Sequence, residues 1–197
     1  MVEIKYTGEA LWERMERAVE KVNERLRKTV AILEQANVPY AIVGGHAVRA
    51  WVAQVDEGAV RTTRDVDVLI RPADLPAMIA AMTNAGFHYR RTADVDMFTE
   101  TPDASAREAV HVVLAGQMIR GDDFDPNPDI EPHTRANNFQ TLEFATLVRM
   151  KLNSFRDKDR VHVRDMIEVG LIDGSWLEKL PSHFQQRLKM ILDDPRG

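Results

Sequence analysis

Two aspartates, Asp65 and Asp67, alternate with valine in a stretch whose residue types favour a β-strand. Side chains along a strand alternate between its two faces, so both carboxylates point the same way. Two carboxylates on one face repel each other unless a cation lies between them. The sequence therefore predicts a divalent-metal site at Asp65 and Asp67.

Two glycines, Gly44 and Gly45, separate the β-capable run 40–43 from a segment in which apolar residues recur at helical spacing. A glycine has no Cβ, so other groups can approach its backbone closely. The free N–H groups at the start of a helix favour an anion. This strand-to-helix junction therefore predicts a turn that binds phosphate.

This order of motifs resembles the nucleotidyltransferases of the DNA polymerase β superfold, in particular their minimal bacterial members, the toxin-type and small-molecule nucleotidyltransferases. Those members carry a Gly-Gly-x-Ala turn, which is followed by a strand with the pattern Arg-Thr/Ser-x-Asp-x-Asp. The matching residues here are Gly44, Gly45, Ala47, Arg61, Thr62, Thr63, Asp65 and Asp67. The resemblance covers residues 38–116 well and the C-terminal part loosely. It implies transfer of NMP from an NTP to an acceptor, with Mg²⁺ or Mn²⁺ as the cofactor.

The loop before the acidic strand supplies cations and hydroxyls. By the resemblance, its residues lie beside the triphosphate; they are Arg61, Thr62, Thr63 and Arg64. A guanidinium group suits this role because it can bind phosphate through two parallel hydrogen bonds. The alternative interpretation is that the two arginines only neutralise the two aspartates.

The run 109–115 is the strand from which the family normally supplies a third carboxylate, but here it holds no acid. His111 is its one polar residue. It is either a structural residue or a substitute ligand or base, and imidazole suits transition metals better than Mg²⁺. Glu108, just before the run, is a second candidate. The departure leaves open a protein that keeps the fold and binds a nucleotide or a partner without catalysing transfer.

Positive charge is concentrated between residues 149 and 164. In the toxin-type members a lysine early in such a helix reaches the nucleotide phosphates, so the resemblance assigns Lys151 to the catalytic site. The alternative is a pair of solvated helices in which Asp157 or Asp159 caps the second helix.

The periodicity of apolar residues predicts an α/β (α+β) protein with a mixed sheet of about four or five strands flanked by helices. Residues 1–37 hold a long amphipathic helix, residues 38–138 the nucleotidyltransferase core, and residues 139–197 a C-terminal helical part packed on that core. Residues 118–138 are expected to form a long loop, and a helical pattern begins at Thr141. The mixed charges of the first helix are typical of a solvated face, and a homodimer through this helix is the alternative.

The composition and net charge of the chain exclude some classes of site and disfavour one class of acceptor. An apolar content of 44% suffices for a buried core, and the absence of cysteine excludes disulfides and thiolate sites. No apolar run of about 20 residues appears, so we expect a cytoplasmic protein with no membrane contact. The net charge of −5 disfavours a tRNA acceptor, although a small molecule, a protein hydroxyl and an RNA end all stay open, as does a toxin–antitoxin role. A third hypothesis is an α/β protein that binds no nucleotide.

Overall fold

The computed structural model describes residues 5–118, 121, 123–136 and 138–194. Within these residues the chain forms seven α-helices and one seven-stranded sheet. The helices are α1 (Glu9–Gln35), α2 (Gly44–Val52), α3 (Leu75–Asn84), α4 (Phe144–Ser154), α5 (Asp157–Glu168), α6 (Trp176–Lys179) and α7 (Ser182–Asp193). The strands are β1 (Ala41–Val43), β2 (Val66–Ile70), β3 (His88–Thr92), β4 (Val95–Thr99), β5 (Val110–Leu114), β6 (His133–Ala136) and β7 (Phe139–Leu142).

The sheet has the strand order β3-β4-β5-β2-β1-β7-β6. Strands β2 and β5 are parallel, as are β1 and β7, and the other neighbouring pairs are antiparallel. The predicted mixed sheet flanked by helices is therefore confirmed, with more strands than the four or five expected.

The two additional strands lie where the sequence predicts a loop and a helix. Strand β6 falls inside the expected loop 118–138, and Thr141 belongs to β7 rather than to a helix, which begins at Phe144. Both strands have four residues, which is too short for a clear period. Tertiary contacts define β7 instead: Ile42 is paired with Thr141, whose hydroxyl donates to the Ile42 carbonyl at 2.9 Å. Residues 119, 120, 122 and 137 of the expected loop lie outside the described residues.

Each face of the sheet carries its own apolar core. On β2, Val66, Val68 and Ile70 pack in the core that includes α1 and α3. Leu69 points to the opposite face, into the core formed with α2, α4, α5 and α7. Since Asp67 shares a face with Leu69, the alternation along β2 directs its carboxylate towards the layer of α2 and α5.

Helix α1 is packed along its second half only. Leu26, Val30 and Leu33 are buried in the core beneath it, whereas Leu11 and Met15 are 42% and 51% exposed. None of the helices in the described residues has both the length and the apolar character needed to cross a bilayer.

Candidate metal centre

Three side chains from two neighbouring strands converge at one point. Asp67 is paired with His111 across the parallel strands β2 and β5, and Asp65 immediately precedes β2 on the same face. The candidate ligand atoms of Asp65, Asp67 and His111 all lie within 4.8 Å of one another. Their side chains are between 16% and 24% exposed, so a small ion can reach them.

His111 is oriented by a backbone contact. Its Nε2 lies 2.8 Å from the carbonyl oxygen of Ala106, so the neutral ring carries its proton on Nε2 and donates to that carbonyl. The lone pair of Nδ1 then faces the carboxylates, at 3.6 Å from Asp67 Oδ1 and 3.8 Å from Asp65 Oδ2. A backbone carbonyl that fixes the second nitrogen is a common arrangement for a metal-binding histidine.

The charges of the cluster are coupled. The contact with Asp67 raises the pKa of His111 against the opposing effect of burial. Burial tends to raise the pKa of Asp67, but the contact with His111 and the charges of Lys158 and Lys151 outweigh it and lower that pKa. Without a metal ion, a proton on His111 therefore offsets part of the repulsion between the two carboxylates.

The Gly-Gly turn lies directly against the cluster. Gly44 has a φ of +66°, and a Cβ on it would stand 1.8 Å from Asp67 Oδ2. A Cβ on Gly45 would stand 2.8 Å from the hydroxyl oxygen of Thr63. Both positions therefore require glycine, and the N-terminus of α2 is placed beside the acidic strand.

Comparison with known proteins bears on this arrangement. The chain is similar to an antigenic nucleotidyltransferase-like protein from Paracoccidioides brasiliensis, with a TM-score of 0.54 and 14% identity over 90% of both chains. The antibiotic-resistance factor ANT(2'')-Ia has a TM-score of 0.47 and 13% identity, over 88% of this chain and 83% of that chain. No family model and no curated protein matches the sequence. The similarity to the Paracoccidioides brasiliensis protein, which extends over 90% of both chains, identifies the fold. The chain has the nucleotidyltransferase fold.

Within the nucleotidyltransferase fold, the loop residues have separate positions. The Thr63 hydroxyl donates to Asp65 Oδ1 at 2.8 Å and orients that carboxylate. Arg61 pairs with Asp165 of α5 at 2.7 Å, so it does not neutralise the acidic pair. Thr62 is exposed beside it, and Arg64 is exposed and makes no ion pair with another described residue.

Two lysines lie near the cluster, and the charges of both lower the pKa of Asp67. Lys151 is 3% exposed, and its ammonium lies 3.0 Å from Asp159 Oδ1. Asp159 also accepts from Arg156 at 2.8 Å, so it binds these two cations and does not cap α5. Lys158 instead lies 3.9 Å from Asp65 Oδ2. Glu108 lies in the turn before β5 and is not part of the cluster.

We expect Gly44→Ala to weaken metal binding by at least about tenfold, because the methyl group displaces the Asp67 carboxylate. The positive φ adds a loss of about 1–2 kcal/mol in the free energy of unfolding. Gly170→Ala is the matched control, since Gly170 has a φ of +77° and nothing within 4 Å of its added Cβ. This control should lose stability but keep its metal affinity. Urea unfolding measures the stability, and metal titration measures the affinity. Equal metal affinities in the two variants would contradict the proposed contact.

The burial of His46 should make the stability of the protein depend on pH. It is 2% exposed, and its Nε2 has no hydrogen-bond partner in the part of the chain that the structure describes. Burial, and then the charge of Arg49, lowers the pKa of His46 from 6.5 to about 4. The unfolded chain therefore binds this proton more tightly than the folded chain does. The contribution of neutral His46 to the free energy of unfolding is complete above pH 6.5 and is lost as the pH falls towards 4.

The shift corresponds to about 3 kcal/mol of unfolding free energy between those two pH values. In urea unfolding followed across this range, His46→Gln should remove a loss of that size. The same pH profile in wild type and variant would show that His46 is not buried as the neutral form.

Proposed function

We propose that the protein transfers a nucleotidyl group from an NTP to an acceptor hydroxyl with the help of a divalent cation. The observation that carries the proposal is the convergence of Asp65, Asp67 and His111 beside the turn at Gly44, in a chain with the nucleotidyltransferase fold. The cluster supplies ligands, and the turn places backbone N–H groups next to them.

The donor set fits a divalent cation. Two carboxylates and the Nδ1 atom of His111 would hold it, and the Ala106 carbonyl keeps that nitrogen directed at the carboxylates. When bound, the cation supplies positive charge for the triphosphate oxygens and for the charge that develops during transfer. A set that includes imidazole favours Mn²⁺ over Mg²⁺, which prefers oxygen ligands.

The protein itself binds and orients the substrate. The first turn of α2 donates N–H groups to the phosphates, and Thr63 and Lys158 hold Asp65 in place from two sides. Arg64, which has no ion pair among the described residues, is our candidate for the outer phosphates. During transfer the acceptor oxygen bonds to the α-phosphorus, the bond from that phosphorus to pyrophosphate breaks, and the hydroxyl proton passes to a base.

A labelling experiment tests this activity. The purified protein is incubated with each α-³²P-labelled NTP and with Mn²⁺ or Mg²⁺, in the presence and absence of cell extract. We expect Mn²⁺-dependent label in the protein, RNA or small-molecule fraction, and the labelled fraction identifies the acceptor class. The γ-labelled NTP and the Asp67→Asn variant are controls that should give no label. Label from the γ-position would indicate phosphoryl transfer instead.

A nucleotide-binding module with the same fold is the second candidate, because a histidine stands where a third carboxylate is expected. It predicts that the protein binds an NTP but labels nothing in any extract. In that case, gain of transfer in His111→Asp would identify the natural histidine as the cause. Loss of transfer in His111→Ala with unchanged NTP binding would instead assign His111 a working role.

A further inference from the structure

The first half of α1 and the residues just before it carry an apolar surface that the other described residues leave exposed. Nine large apolar side chains are exposed among the described residues, and four of them fall between residues 6 and 15. They are Tyr6, Leu11, Trp12 and Met15, with Trp12 65% exposed. Such a concentration of exposed apolar side chains is typical of an interaction surface.

A groove of about 940 Å³ runs beside the second half of the same helix. It lies between α1, α2 and the β6–β7 hairpin, and small side chains leave room along two of its walls. These are Ala31 on α1, Ala50 on α2 and Ala53 directly after α2. The groove and the exposed apolar surface therefore lie next to each other on one helix.

The charges of the two regions are complementary. The groove is lined by three arginines, Arg27, Arg49 and Arg135, and by one acid, Glu34, which pairs with Arg135 at 3.3 Å. The exposed half of α1 carries four acids three or four residues apart, so they form a single stripe: Glu9, Glu13, Glu16 and Glu20. An acidic stripe beside apolar side chains matches a groove with arginines around small residues.

We propose that two copies of this chain form a symmetric dimer in which the first half of each α1 lies in the groove of the other copy. The two α1 helices run antiparallel, with the two-fold axis between residues 21 and 22. A two-fold interface is self-complementary, so a contact between residues i and j occurs twice.

In this register, Trp12 faces a small residue and Glu16 faces an arginine, while Glu9 faces Glu34, whose carboxylate already pairs with Arg135. Trp12 faces Ala31, Glu16 faces Arg27, and Glu20 faces Asn23, each from the other copy. These six residues follow one another at steps of three or four and thus share one face of α1. Arg27 already pairs with Glu20 of its own helix, which places both on that face. The segments 9–20 and 23–34 have equal length, about 18 Å each.

Charge reversal tests the register. Sedimentation equilibrium should show a wild-type dimer, and Glu16→Arg or Arg27→Glu should each weaken it at least about tenfold, because both symmetric pairs become repulsive. An equimolar mixture of these two variants should regain the dimer, since each heterodimer contains two opposite-charge pairs. The double variant should regain it as well.

Trp12→Glu should abolish the dimer, whereas Met190→Glu should leave it intact. Met190 is the matched control because it is 54% exposed on α7, away from this surface. Circular dichroism of each variant checks that the exposed substitutions leave the fold unchanged. A wild-type monomer at all concentrations would overturn the proposal, as would a dimer that survives Trp12→Glu or a mixture of single variants that stays monomeric.

Discussion

Asp67→Asn will weaken Mn²⁺ binding by at least about 100-fold and abolish metal-dependent NTP binding. The amide keeps the shape of the carboxylate but removes a charged ligand, and even the loss of a residue that only supports a ligand costs 10–100-fold in metal affinity. The apo protein should also lose some stability, because the contact with His111 and the lysine charges, which lower the pKa of Asp67, favour its ionised form in the folded state. Isothermal titration with Mn²⁺, with and without a non-hydrolysable NTP, measures the binding.

Asp129→Asn provides the matched control. Asp129 is an exposed carboxylate paired with Arg71 at 2.9 Å, and it is not part of the metal cluster. Its replacement should leave Mn²⁺ binding unchanged. Unchanged Mn²⁺ affinity in Asp67→Asn would contradict the metal site and would leave Asp67 only as the partner of His111 in an ion pair.

Asp159→Asn will lower the free energy of unfolding by about 3–5 kcal/mol, because it leaves the Lys151 ammonium buried without a counter-charge. Lys151 and Asp159 have side chains that are 4% and 0% exposed. Lys151→Met should cost less, since Arg156 still pairs with Asp159. Urea unfolding of the variants measures these differences.

Acid titration gives an independent check of the same pair. Burial tends to raise the pKa of Asp159, but the charge of Lys151 and the contacts with Arg156 outweigh it and lower the pKa well below the usual range. The stabilisation is therefore complete above the unfolded-state pKa of about 3.9 and is lost as the pH falls below it. The Lys151→Met/Asp159→Leu variant should lack this loss and should recover most of the stability. If Asp159→Asn is as stable as wild type, the pair contributes nothing to folding.

The acidic strand and the glycine turn could be predicted because each depends on local chemistry. Alternation along a strand places Asp65 and Asp67 on one face, and Gly44 marks the close approach of backbone to carboxylate. The sequence alone did not determine whether His111 lies beside the two aspartates, because this depends on the register between β2 and β5. The Ala106 carbonyl leaves no sequence signal at all, because any residue supplies one.

The packing of the C-terminal helices was the least predictable part. Lys151 and Lys158 lie in one basic run, and their sequence positions do not reveal which one faces Asp159 and which one faces Asp65. That choice follows from how α4 and α5 pack together. Strand β7 was missed for a similar reason, since its four residues are defined by their pairing with β1.

A crystal grown with Mn²⁺ and a non-hydrolysable NTP tests the metal centre most directly. We predict one anomalous difference peak from a Mn²⁺ ion that is coordinated by Asp65, Asp67 and His111 Nδ1. The triphosphate should lie against the turn at Gly44. A map with the cluster intact and no peak at it, or with the nucleotide bound elsewhere, would contradict a metal-dependent nucleotidyl transfer at this site.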